Sequence, residues 1–212
     1  MGSATRKIAN AFSTSGIIQS ANINNASLDN ITTIAGAGDM VLVSSATASS
    51  SASIEFSLGN YKEYKFFFVD IHPQTDDVDF EFNLSTDGGS NYNVTKTSSA
   101  FLTFHSEDDV STLLAYSDTE DLAQSTGYQA ISPRVGNGND ESSAGTMQLF
   151  APSSTTFVKH FIADVHRYYK DDLAVRDFTA GYGNTTSPIN AVRFKFGSGN
   201  IDSGVIKLYG IS

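Results

Sequence analysis

Apolar and polar side chains alternate with period two through most of this chain after residue 53. Ile54, Phe56 and Leu58 are interleaved with Glu55 and Ser57, and Phe80, Phe82 and Leu84 with Glu81 and Asn83. Successive side chains of a strand point to opposite faces, so each set predicts a half-buried β-strand. Residues 64–71 are almost continuously apolar, which predicts a central strand covered on both faces. His72-Pro73 ends it, because proline donates nothing to a ladder. Asp87-Gly88-Gly89-Ser90 predicts a tight turn. Further strands are expected at 92–97, 100–105, 145–150, 156–167, 191–196 and 205–211, with short helical turns at 118–124 and 168–173. A long Gly/Asn/Ser-rich connection spans 122–144. About eight to ten strands with turn chemistry between them, and no sustained 3.6-residue period, predict an all-β fold: a β-sandwich of jelly-roll type.

The first 52 residues follow a different rule. Thirty of them are Ser, Thr, Asn or Ala, and Phe12 is their only aromatic. Such a segment cannot offset its ordering entropy by burying its own surface. Yet Ile8, Phe12, Ile17, Ile18, Ile23, Leu28 and Ile31 recur at short intervals among the small polar residues. That pattern suits an extended N-terminal arm that orders by lying on a partner, with these seven as anchoring and assembly residues. Gly36-Ala37-Gly38-Asp39 then turns the chain into a short apolar strand at 40–43, and the Ser/Ala run at 44–53 reads as a linker or edge segment. The domain reading is therefore an anchoring arm and linker over 1–52 and a β-sandwich over 53–212.

Composition narrows the partners. Fifteen Phe and nine Tyr suit pleated, half-buried surfaces, and the absence of cysteine excludes disulfides and thiolate chemistry. No apolar run approaches the roughly 20 residues needed to cross a bilayer as a helix. No apolar core follows Arg6 and Lys7 as a signal peptide would require, so no membrane partner is expected. The net charge of −10 is concentrated: residues 76–121 hold eleven acids against the single base Lys96. A field of that sign repels phosphate backbones, so no nucleic-acid partner is expected.

Chemistry is sparse. Gly-x-Gly pairs begin at Gly36, Gly136, Gly181 and Gly197, but none has the third glycine of a dinucleotide fingerprint. His160 and His166 share one side of an expected strand at roughly 20 Å, too far apart for one metal. Asp76-Asp77-x-Asp79 and Glu107-Asp108-Asp109 offer hard oxygen ligands of the kind calcium takes, without an EF-hand spacing. Tyr168, Tyr169 and Tyr182 fall near expected loops, where exposed rings could stack on sugars. No residue is assigned to catalysis, to a cofactor or to a metal, and the chain is expected not to be an enzyme.

Asp70-Ile71-His72-Pro73, the run from Ser85 to Asn93, Pro152-Ser153-Ser154, the ending from Ser198 to Ile211, and the opening Arg6-Lys7-Ile8-Ala9-Asn10 with Thr14-Ser15-Gly16 form a set of familiar stretches. Together they resemble virion structural proteins of tailed, particularly marine, bacteriophages, of the capsid-decoration or tail-appendage type. The resemblance implies a virion component, bound to other capsid or tail proteins through its arm and assembled as a homotrimer or other symmetric homo-oligomer. It leaves open capsid against tail. It also leaves open a carbohydrate- or host-receptor-binding role on a tail fibre or spike.

Overall fold

The computed structural model describes residues 40–169 and 171–212. Among them the chain forms twelve strands and no helix: β1 (Val41–Thr47), β2 (Ile54–Ser57), β3 (Glu63–Pro73), β4 (Val78–Ser85), β5 (Lys96–Ser106), β6 (Thr112–Tyr116), β7 (Gln129–Val135), β8 (Ser143–Phe150), β9 (Lys159–Tyr169), β10 (Leu173–Gly183), β11 (Ala191–Phe196) and β12 (Ile201–Ile211). They make two antiparallel sheets, an eight-stranded one of order β1-β12-β3-β8-β9-β10-β5-β6 and a four-stranded one of order β2-β11-β4-β7. The expected all-β sandwich is the fold observed.

The alternation seen in the sequence builds the core. Ile54 and Phe56 of β2, Phe80, Phe82 and Leu84 of β4, and Val192, Phe194 and Phe196 of β11 face inward from the small sheet. Tyr64, Phe66 and Phe68 of β3, Met147 and Leu149 of β8, and Ile206 and Leu208 of β12 meet them from the large one. Phe194 is the centre, with ring centroids of Phe56, Phe66, Phe68, Phe80 and Phe82 at 5.0–6.3 Å. Burial of that much aromatic surface is the main drive for sheet-on-sheet packing.

Eight strands, β1 to β4 with β7, β8, β11 and β12, form a frame of two four-stranded halves in which consecutive members alternate between the sheets, except β4 and β7, which pair with each other in the small one. The remaining four extend only the large sheet. The hairpin β5–β6 and the meander β8–β9–β10 join through an eleven-residue ladder between β10 and β5. Within the small sheet the nearest strand is β7, which packs against β9 and β10. The inner face of β5 and β6 therefore overhangs its neighbour.

Several sequence expectations need correction. The Ser/Ala run read as a linker or edge segment is in part the edge strand β1, which pairs with β12 from Val41 to Thr47. Residues 64–71 are covered on one face only: Lys65, Phe67 and Val69 point outward, and Phe67 lies edge-on to Tyr209 at 5.3 Å. Residues 92–95 are not a strand, and neither 118–124 nor the described part of 168–173 is helical. Three strands carry no readable pattern. In β7, Pro133 is tolerated because the strand lies at a sheet edge. In β10 the inward positions include Asp177 and Thr179, so alternation is masked. The short edge strand β6 reads Thr-Leu-Leu-Ala-Tyr and does not alternate.

The turn at Asp87-Gly88-Gly89-Ser90 forms as expected, with φ of 74° at Gly88 and 89° at Gly89. The Asp87 carboxylate accepts from the side chain and backbone of Asn91 and from the Ser85 hydroxyl, which hold it down at a pKa of about 2.

Candidate functional site

Among the described residues the large sheet ends in two unpaired edges, and both are apolar. Met40, Val41, Leu42 and Val43 lead into and along β1 with 41–51% of their surface exposed. At the other edge Leu113, Leu114 and Tyr116 of β6 are 45%, 71% and 58% exposed, and Val110 just before them 78%. Eight of the twelve large apolar side chains exposed among the described residues thus belong to these two edges. Neither β1 nor β6 contains a charged residue or a proline, although such residues are the usual protection of an open ladder. An unpaired, uncharged, apolar edge is a template for another strand.

Around β6 the apolar surface continues onto both faces. On the outer face Phe178, Phe101 and Tyr116 fall in one cross-strand row, and Phe101 stacks on Phe178 at 5.1 Å. Tyr116 is fixed by its hydroxyl, which donates to Asp121 at 2.5 Å. On the inner face the overhang leaves a groove of about 250 Å³, floored by Leu102, Phe104, Leu113 and Val175 and walled by Pro133, Arg134 and Glu120.

Charge lies beneath that floor. Arg167 of β9 grips Asp177 of β10 with two hydrogen bonds, Nε to Oδ2 at 2.8 Å and Nη2 to Oδ1 at 3.3 Å, and both side chains are only 5% exposed. Burial pushes the Asp177 carboxyl up to about 6 despite the guanidinium beside it. Glu120 at the rim is raised too, first by desolvation and then by the charge of Asp79. Arg134 sits over the Tyr169 ring at 5.1 Å and binds Asp77 at 3.0 Å. The groove is thus largely apolar, with Arg167 paired to Asp177 and Arg134 to Asp77, and is suited to receiving an apolar side chain.

The sequence-derived candidates fare unevenly. Ile8, Phe12, Ile17, Ile18, Ile23, Leu28 and Ile31 lie outside the described residues. The acidic clusters are engaged within the protein: Asp76 accepts from the Asn137 amide, Asp77 from Arg134, and Asp79 from the Arg134 amide. Asp108 accepts from Ser106 and Val110, and Asp109 meets His105 at 2.9 Å. Among the described residues no three His, Asp or Glu side chains gather as metal ligands would. Nor do the three tyrosines form one platform. Tyr169 is buried on the inner face, Tyr168 donates to Asp172 across a turn, and Tyr182 lies against His160 on the outer face.

Sequence reasoning missed the β6 edge and its groove. Leu113-Leu114 flanked by Tyr116 was the available signal, since an apolar run too short to be a core strand can be an exposed edge. Comparison with known proteins returns no match: no protein-family model, no curated protein and no solved structure aligns significantly with this chain.

Proposed function

We propose that this protein is a non-enzymatic structural component of a bacteriophage particle that assembles with copies of itself through the apolar edges β1 and β6. The observation that carries the assembly reading is the pair of uncharged, exposed edges on one sheet; the phage assignment rests on the sequence resemblance. The two edges are unlike, so pairing β1 of one copy with β6 of the next is a heterologous contact, which closes into a ring when the rotation permits, as in a trimer. The frame order β1-β12-β3-β8 over β2-β11-β4-β7 supports a jelly-roll reading, with β5, β6, β9 and β10 as an insertion. Jelly rolls recur in capsid and lectin domains, which is fold-level analogy and no more. The arm residues Ile8 to Ile31 would attach the assembly to other virion proteins, on capsid or tail.

A receptor- or carbohydrate-binding role is the competing reading. Ligand pockets usually hold about 300–1,000 Å³, and the groove beside β6 holds about 250 Å³. That size favours an inserted side chain over a glycan. Sedimentation of the full chain tests the proposal: the wild type should run as a closed oligomer, and Leu114→Lys with Tyr116→Lys as a folded monomer. A wild-type chain that stays monomeric at every concentration would sink the assembly reading, and specific retention on a glycan array would revive its competitor.

A further inference from the structure

The second buried cation of the described core without a carboxylate at its head group is Lys96, and its surroundings differ in kind from a salt bridge. Its side chain is fully buried, and Nζ lies 2.6 Å from Asn83 Oδ1 and 2.9 Å from the Val94 carbonyl. Lys159, the other, donates only to the backbone carbonyls of Phe157 and Thr185. Lys96 therefore faces a side-chain amide, which is an electrophile as well as an acceptor. Asn83 is itself fully buried and held from every side. Its Nδ2 donates to the Tyr92 and Thr126 carbonyls at 2.8 and 3.0 Å, and its Oδ1 accepts from the Leu84 amide at 2.9 Å.

We propose that Lys96 and Asn83 join in an intramolecular isopeptide bond that ties β5 of the large sheet to β4 of the small one. Cγ lies one carbonyl bond beyond Oδ1, so it is within about 3.8 Å of Nζ, close to the roughly 3–3.5 Å of a near-attack pair. Removal of the ammonium from water brings Lys96 down to about 7, so a large share of the free amine is present at neutral pH, with its nucleophilic lone pair. The lone pair adds to Cγ and the carbonyl electrons move to Oδ1, where the Leu84 amide stabilises the developing charge. Collapse breaks the Cγ–Nδ2 bond. One proton from Nζ passes to Nδ2, which leaves as ammonia; amine plus primary amide become secondary amide plus ammonia, with no oxidant or reductant. Glu81 lies two residues before Asn83 on the same strand, its charge acts on Lys96, and it is anchored by Lys195 at 2.6 Å.

The bond is independent of how copies assemble, and it would supply a covalent lock that a cysteine-free chain cannot make from sulfur. The test is the intact mass of the denatured full chain. The expected mass is lighter than the sequence mass by one ammonia, and proteolysis at Asp87, between the two residues, should leave the fragments bearing Asn83 and Lys96 attached. Lys96→Arg, which keeps the charge and the donors, should restore the full sequence mass. A wild-type chain at its full sequence mass overturns the proposal, as does an ammonia loss that persists in Lys96→Arg, which would mark cyclisation of an asparagine. Should Lys96→Arg fail to fold, the wild-type mass and the linked fragments decide the matter alone.

Discussion

The two halves of the large sheet solve the same packing problem differently. Where the small sheet covers it, at β12, β3 and β8, the inward positions are Ile, Leu, Phe, Tyr and Met, converging on Phe194. Where cover thins, at β9, β10 and β5, inward positions include Arg167, Asp177, Thr179 and Lys96 alongside Val175 and Ala100. A fully covered position gains by removing apolar area from water, whereas a partly covered one gains little and can host polar groups that satisfy each other. The covered half gives the sandwich its stability. The overhanging half keeps an open groove and an unpaired edge.

Substitutions can break that contrast in order of size. Phe194→Ala removes the ring shared by five neighbours and should cost about 4 kcal/mol in a urea melt; a loss under about 1 kcal/mol would show that the aromatic cluster is not the organising core. Asp177→Ala strands a buried guanidinium and should cost about 3 kcal/mol, while the double change Arg167→Met with Asp177→Leu recovers most of it. If the double variant were as unstable as the single one, the pair would be holding the overhang rather than tolerating burial.

The same carboxyl sets a pH dependence. Its pKa is raised by burial from 3.8 to about 6 in the folded state, so the native protein binds the extra proton between those values. Its contribution to stability is then present below about pH 4 and is lost as pH rises through about 6. Relative to Asp177→Asn, the wild type should lose about 2 kcal/mol between pH 4 and pH 7. Parallel pH profiles for the two proteins would contradict the burial of this group. Smallest of all, Leu114→Lys should move the stability of the monomer by no more than about 0.5 kcal/mol, because Leu114 is 71% exposed. A larger effect is expected only in the proposed assembly, read by sedimentation.

Where alternation was strict, the sequence was legible. Phe80, Phe82 and Leu84 and the turn at Asp87 to Ser90 behave as their pattern says. Legibility failed where a second force overrode the pattern. Asp177 faces inward because Arg167 neutralises its burial, which hides β10. Pro133 sits in a strand because that strand is an edge. For the candidate site little was readable: the arm residues were singled out by spacing, whereas the β6 edge and its groove were not.

The local pattern alone determined that the chain is all-β, that it is built of inward-facing Phe, Ile and Leu, and that no disulfide can hold it. Strand pairing is non-local, and its register depends on which residues far apart in sequence find each other. Only the tertiary structure therefore decided that β10 would pair with β5, that β6 would be left at an edge with Leu114 exposed, and that Lys96 would be buried against Asn83, thirteen residues earlier in the chain.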